Sequence, residues 1–146
     1  MAALTANRER FVRAVGRQEK GSGVGVDSDE FYEGQLVCFN GSGKIAPAAD
    51  TAGFRVAGVC TKRVTTGASN TTEIEFEYGH QEWFPHSGLV NADIGANCVV
   101  SDDNTVTETT TATNDVEVGL ITEIESLRGT AGVWIRIAEF GVDTAA

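Results

Sequence analysis

The sequence predicts an all-β protein. It reads as a small β-barrel or β-sandwich of short antiparallel strands, in two pseudo-repeated units, behind an extended or short-helical N-terminal arm. Three observations predict this. The 146 residues include 16 valines and 16 threonines against 5 leucines, a balance that suits pleated, half-buried surfaces better than helices. Seventeen glycines, with clusters of Asp, Asn and Ser, punctuate the chain as turns between short strands do. From Leu89 to Ile137 no stripe of useful length recurs at helical spacing.

Residues 1–20 are the one stretch with helical character. Leu4, Phe11 and Val15 fall at i, i+7 and i+11 with arginines between them, and Gly16 would end such a helix. A helix this short is marginal alone, so the arm must dock to become ordered. Gly21-Ser22-Gly23-Val24-Gly25 reads as a hinge. We therefore divide the chain into a basic arm and hinge (1–26), a single β domain (27–140) and a loose tail (141–146).

Gln35–Phe39 is the first predicted strand. Asn40-Gly41-Ser42-Gly43 is a hairpin turn, because glycine tolerates positive φ, and Lys44–Ala46 pairs back. Arg55–Thr61 follows a loop. Glu73–Tyr78 alternates, with Ile74, Phe76 and Tyr78 on one face and three glutamates on the other. Glu82-Trp83-Phe84 begins another run that Pro85 stops, leaving Trp83 and Phe84 in an exposed contact loop. The second unit contains Cys98–Val100, an Asp102-Asp103-Asn104 turn, Thr105–Thr107, Val116–Ile124 and Val133–Ile137. A shift of 61 positions brings Gly34 onto Gly95, Ile45 onto Val106, Gly58 onto Gly119, Thr61 onto Thr122 and Ile74 onto Ile135. The predicted core comprises Val37, Ile45, Val59, Ile74, Phe76, Val99, Val106, Leu120, Ile135 and Ile137.

The formal charge is −10 overall but uneven: residues 1–20 carry +3 and the remainder −13. An acidic body argues against nucleic-acid binding, which needs Lys and Arg at phosphates. No apolar run is long enough to span a membrane, and the opening residues lack the apolar core of a secretion signal. Cys38, Cys60 and Cys98 fit no zinc spacing; we expect buried, reduced thiols. Glu73, Glu75 and Glu77 read as the wet face of a strand. His80, Glu82 and His86 share strand parity, but they lack a third strong ligand and Pro85 breaks their register, so we expect no metal. Gly41-Ser42-Gly43-Lys44 has Ile45 where a phosphate loop needs Ser or Thr. No catalytic residue and no cofactor are expected.

Several stretches resemble capsid decoration (cement) proteins of tailed bacteriophages and prophages. They are Met1–Arg8, Tyr32–Val37, Ile45–Gly53, Val56–Val59, Asp93–Gly95, Asp102–Val106, Val118-Gly119 and Gly132–Ile135. The resemblance covers nearly the whole chain, on glycine and valine patterns of low information. It implies a structural virion protein, synthesised in the bacterial host cytoplasm. This protein would bind the outer surface of the major capsid protein shell as a homo-oligomer, with a trimer favoured, without nucleic-acid or membrane partners. The Arg-rich start and the Trp83-Phe84-Pro85 loop depart from the family pattern. Leu4, Arg8, Arg10, Phe11, Arg13, Val15 and Arg17 are the candidate residues for gripping a capsid subunit or a neighbouring copy. The arm folding back on its own acidic barrel is the competing reading. Deleting residues 2–20 is expected to leave the barrel folded. The functional alternatives are another virion part, such as a tail or fibre component, and a ligand- or sugar-binding barrel. An enzyme ranks behind both.

Overall fold

A computed structural model describes residues 3–13 and 18–138. Thirteen strands follow in order: β1 (Val12–Arg13), β2 (Glu19–Val24), β3 (Glu30–Phe31), β4 (Leu36–Phe39), β5 (Ile45–Pro47), β6 (Arg55–Cys60), β7 (Val64–Thr65), β8 (Glu73–Tyr78), β9 (Gln81–Ser87), β10 (Asn97–Asp102), β11 (Thr105–Thr107), β12 (Glu117–Ile124) and β13 (Gly132–Ile137). The only helical piece among the described residues is a 3-10 turn at Asn91–Asp93. The protein is all-β, as its composition predicts. Val15, Gly16, Arg17 and the tail lie outside the described residues.

The second half closes into a barrel. Its strands pair in the order β9-β11-β10-β12-β13, and β13 returns to β9. The first half repeats this order as β2-β8-β6-β4-β5. A parallel Gly25–Ile45 bridge joins the last strand to the first, supported by the Val26 N–H donating to the Ile45 carbonyl at 2.8 Å. The pairings match residue by residue. Leu36 faces Val59 and Val37 faces Gly58 in the first barrel; Asn97 faces Leu120 and Cys98 faces Gly119 in the second. Both ladders bulge immediately afterwards. The Gly25–Ile45 bridge corresponds to the His86–Val106 pair. The 61-residue shift is therefore the spacing of two barrels. It fails in one place: β8 falls on β13 at a shift of 59, because the loop before β13 is two residues shorter. Ile74 is thus equivalent to Val133, not to Ile135.

Two glycines explain why the punctuation survives in the repeat. A Cβ on Gly58 would strike the Glu77 carbonyl oxygen, and one on Gly119 the Arg136 carbonyl oxygen. Both sit at the bulge, where adjacent strands crowd.

The first barrel is filled by Phe31, Val37, Ile45, Ala57, Cys60, Ile74 and Phe76. Its outer wall residues Leu36, Cys38, Val56 and Val59 join Phe84, Cys98, Val106, Ile121 and Ile135 in one larger cluster. This shared core makes the two barrels one unit. Each large apolar side chain buried there contributes about 1.5–3 kcal/mol. Nine of the ten predicted core residues are buried. Leu120 is 43% exposed. It is the counterpart of Val59, but the wall of the second barrel has no third barrel to cover it.

Two further expectations are corrected. Residues 21–25 are not a hinge but belong to β2 and its extension. Gly21, Gly23 and Gly25 are small because the barrel is full: a Cβ would meet Phe76 at 2.6 Å, Ile45 at 3.0 Å and Ile74 at 2.8 Å respectively. The β domain therefore begins at Glu19, not at 27. Pro85 does not end β9, which runs through it to Ser87. Trp83 and His86 direct their N–H groups to opposite sides, toward the Phe11 and Ala131 carbonyls. By alternation, the nitrogen of Pro85 faces the same edge as Trp83, in the gap between β1 and β11, where no ladder bond is required. With β9 intact, Trp83 is 5% and Phe84 0% exposed, so neither lies in an exposed loop. Of the two forms expected for the arm, extended or short-helical, its described residues take the extended one and run into β1, which pairs Val12 with Glu82 and Arg13 with Gln81.

Candidate functional site

The arm docks along the edge of β9, and a buried ionic cluster holds it there. Glu82 is its centre, with a side chain 0% exposed. Glu82 shares strand parity with the fully buried Phe84, so its side chain points to the buried face of β9. Arg8 donates through Nη2 to Glu82 Oε2, through Nε to the Gly34 carbonyl at 2.8 Å and through Nη1 to the Trp83 carbonyl at 3.0 Å. Its guanidinium also lies 4.1 Å from the Phe84 ring centroid. Arg10 donates through Nη2 to Glu82 Oε1 at 2.7 Å and through Nε to Oε2 at 2.9 Å, a fork geometry that lysine cannot copy. Its Nη2 also reaches Glu77 at 3.2 Å. His80 Nε2 lies 2.7 Å from Glu82 Oε1 and, against an ionised carboxylate, is the donor; among the described residues the buried His80 Nδ1 has no hydrogen-bond partner.

Burial by itself would push the Glu82 carboxyl up. The hydrogen bonds from Arg10 and His80 and the two guanidinium charges outweigh it, holding the carboxyl below its ordinary value. For Arg10, burial opposes the charge, but the hydrogen bond and charge of Glu82, aided by Glu77, hold its guanidinium above its ordinary value.

A second fastening point lies in the β10–β11 turn. Asp103 accepts from the Leu4 N–H at 2.8 Å and from Gln35 Nε2 at 2.7 Å, and its carbonyl accepts from the Leu36 N–H at 3.0 Å. Arm, first barrel and second barrel meet at this residue. Burial pushes its carboxyl up. Further along the arm, Phe11 packs edge-on to Trp83 at 5.8 Å. Arg13 stacks over Trp134 at 3.8 Å and donates to Glu123 at 2.7 Å. Both tryptophan N–H groups are anchored on Glu125.

The structure thus brings together Leu4, Arg8, Arg10, Phe11, Arg13, Trp83 and Phe84, but within one chain. Within the chain, the charges of Arg8, Arg10 and Arg13 are engaged by Glu82, Glu77 and Glu123, the arrangement of the competing reading in which the arm folds back on its own barrel. Loss of residues 2–20 would strand Glu82 and remove the first residues of β2, which weighs against the expectation that the barrel folds without them. Sequence reasoning named Glu82 only as a weak metal candidate and read Asp103 only as a turn residue. The one local signal was the shared parity of His80 and Glu82, which do meet; the arginine that forks onto Glu82 and the glutamine that meets Asp103 lie 72 and 68 residues away.

The remaining candidates hold no shared site. His86 accepts the Leu89 N–H at 3.2 Å. Glu73 and Glu75 face solvent. All three cysteines are free and buried, and burial pushes the Cys38 and Cys98 thiols up to about 12. Among the described residues no group of three or more His, Cys, Asp or Glu side chains could hold a metal ion. The chain matches no protein-family model and no curated protein sequence.

Proposed function

We propose that this chain is a structural virion protein. It decorates and stabilises the head of a tailed phage by binding the outer surface of the major capsid protein shell, as a homo-oligomer for which the sequence resemblance favours a trimer. The observation that supports this reading is the use made of its buried polar groups. Arg8, Arg10, Glu82, His80, Gln35 and Asp103 join the arm to two barrels whose interiors are packed with side chains. That arrangement suits a rigid module offering its outer walls and loops to a repeating surface, where many modest contacts sum by avidity. Filled barrels also count against a ligand-binding barrel, which needs a cavity. Cosedimentation of the purified protein with separated heads and tails tests the proposal. Saturable binding to heads, with greater resistance of those heads to heat, is expected. Binding confined to tails, or to neither part, overturns it.

A further inference from the structure

The wall of the first barrel is covered, and the matched wall of the second is not. Leu36 and Val59, paired across β4 and β6, are both fully buried against the second barrel. Their counterparts are Asn97 and Leu120, and Leu120 is 43% exposed. The matched turn glycines differ in the same way. Gly34 and Gly95 take φ of +87° and +93°. A Cβ on Gly34 would meet Arg8 at 2.9 Å, whereas one on Gly95 would meet nothing within 4 Å. Beside Leu120, the loop from β9 to β10 adds Val90 at 58% and Ile94 at 48% exposed. We infer that Val90, Ile94 and Leu120 form a self-association face, at which this chain meets further copies of itself about a rotation axis.

The three side chains are exposed on firm backbone. In the 3-10 turn the Asp93 N–H donates to the Val90 carbonyl at 2.8 Å, and the Val90 N–H to Asp93 Oδ2 at 2.8 Å. The Gly95 N–H donates to the Ile121 carbonyl at 2.8 Å, which ties the loop to β12 beside Leu120. A face already ordered loses little entropy when it is covered, and clustered apolar residues with a polar rim mark interaction sites. Two observations name the occupant. The chain covers the matched wall with a barrel of its own kind, so another copy supplies the same kind of surface. A contact between two different faces would need a second apolar face, yet among the described residues the only other exposed large apolar side chain is Val12. The face therefore meets its own counterparts, as residues near a symmetry axis do. The rim suits this: the exposed Arg136 pairs with Leu120 across the strands, and Asp93 adjoins Ile94, so copies bring opposite charges together. The inference rests on the homo-oligomer of the proposed function, whose contact face it names, and not on capsid binding.

Analytical ultracentrifugation of the full-length chain alone, without phage heads, tests it separately from the capsid reading. A concentration-dependent equilibrium between monomer and a closed oligomer is expected. Leu120→Arg and Ile94→Arg should each weaken association by about thirtyfold, as loss of a buried apolar anchor does, with the urea midpoint of the monomer unchanged. Ser42→Arg, on the exposed β4–β5 hairpin, should leave association as it is. If the arginine variants do not fold, Ile94→Cys decides: mild oxidation should link copies through this residue, because the three natural cysteines are buried. A protein that stays monomeric at every concentration would overturn the inference. So would association that both folded arginine variants leave unchanged, or Ile94→Cys copies that do not link. A monomer whose binding to heads is lost in Leu120→Arg would overturn it too, and would give the face to the capsid.

Discussion

Replacing Glu82 by alanine should be among the most damaging single changes available. The variant leaves Arg8 and Arg10, with side chains 7% and 15% exposed, facing each other without their shared anion. It also leaves His80 Nε2 without the acceptor it meets at 2.7 Å. Removing one partner of a buried ion pair costs about 3–5 kcal/mol, because the remaining charge stays desolvated and uncompensated. Against a total stability of about 5–15 kcal/mol, that is a large fraction. Near 150 residues each kcal/mol shifts Tm by about 3–4 °C, so a fall of roughly 10–20 °C is expected. Urea unfolding followed by tryptophan fluorescence suits the test, since Trp83 and Trp134 both lie under the arm. A control separates lost charge from lost packing: Arg8→Met, Arg10→Met and Glu82→Leu together should recover most of the loss, because an apolar replacement of a whole buried cluster is often neutral or better. A loss below about 1 kcal/mol for Glu82→Ala, the level of an exposed pair, would refute the view that this cluster is what fastens the arm.

The same cluster sets the response to acid. The folded-state pKa of Glu82 is depressed, so its contribution is present above the ordinary glutamate value of about 4.3 and is lost as pH falls through the lower folded value. Asp103 is raised and acts oppositely, giving back some stability as pH falls below its folded value. Urea midpoints measured between pH 2 and 6 should therefore fall less steeply for Glu82→Gln than for the natural protein; parallel curves would contradict this. Gly119→Ala should cost about 3 kcal/mol, since its Cβ meets a backbone carbonyl that cannot step aside, and a near-neutral urea midpoint would show the bulge to be softer than described. Phe76→Ala, 5% exposed inside the first barrel, should cost about 3–5 kcal/mol by cavity formation, read from the same unfolding curves. A thiol reagent at pH 8 should label Cys38 and Cys98 only after unfolding, because both are fully buried and pushed up to about 12; prompt labelling of the native protein would count against their burial.

Much of the strand content was legible in the sequence, for a local reason. Side-chain alternation has period two and turns have their own chemistry, so Glu73–Tyr78, Thr105–Thr107 and the Asn40–Gly43 hairpin can be read from a few residues. The hairpin is as read: Asn40 Oδ1 accepts from the Ser42 and Lys44 N–H groups, and Gly43 takes φ +79°. The 61-residue shift was legible because both barrels need a glycine where their strands crowd, at Gly58 and Gly119.

Tertiary structure alone decided the rest. Gly21, Gly23 and Gly25 look like a linker until Phe76, Ile45 and Ile74 are seen filling the space in front of them. Pro85 reads as a strand stop until its nitrogen is placed at a gap in the ladder. Leu120 and Val59 are equivalent in pattern, yet only Val59 has a neighbouring barrel against it. The arm shows the difference most plainly. Its composition established that it is basic and too short to fold alone. That it becomes a strand followed from an open edge on β9 and from a buried Glu82, both some seventy residues away in the chain, because backbone pairing and charge neutralisation depend on what lies near in space.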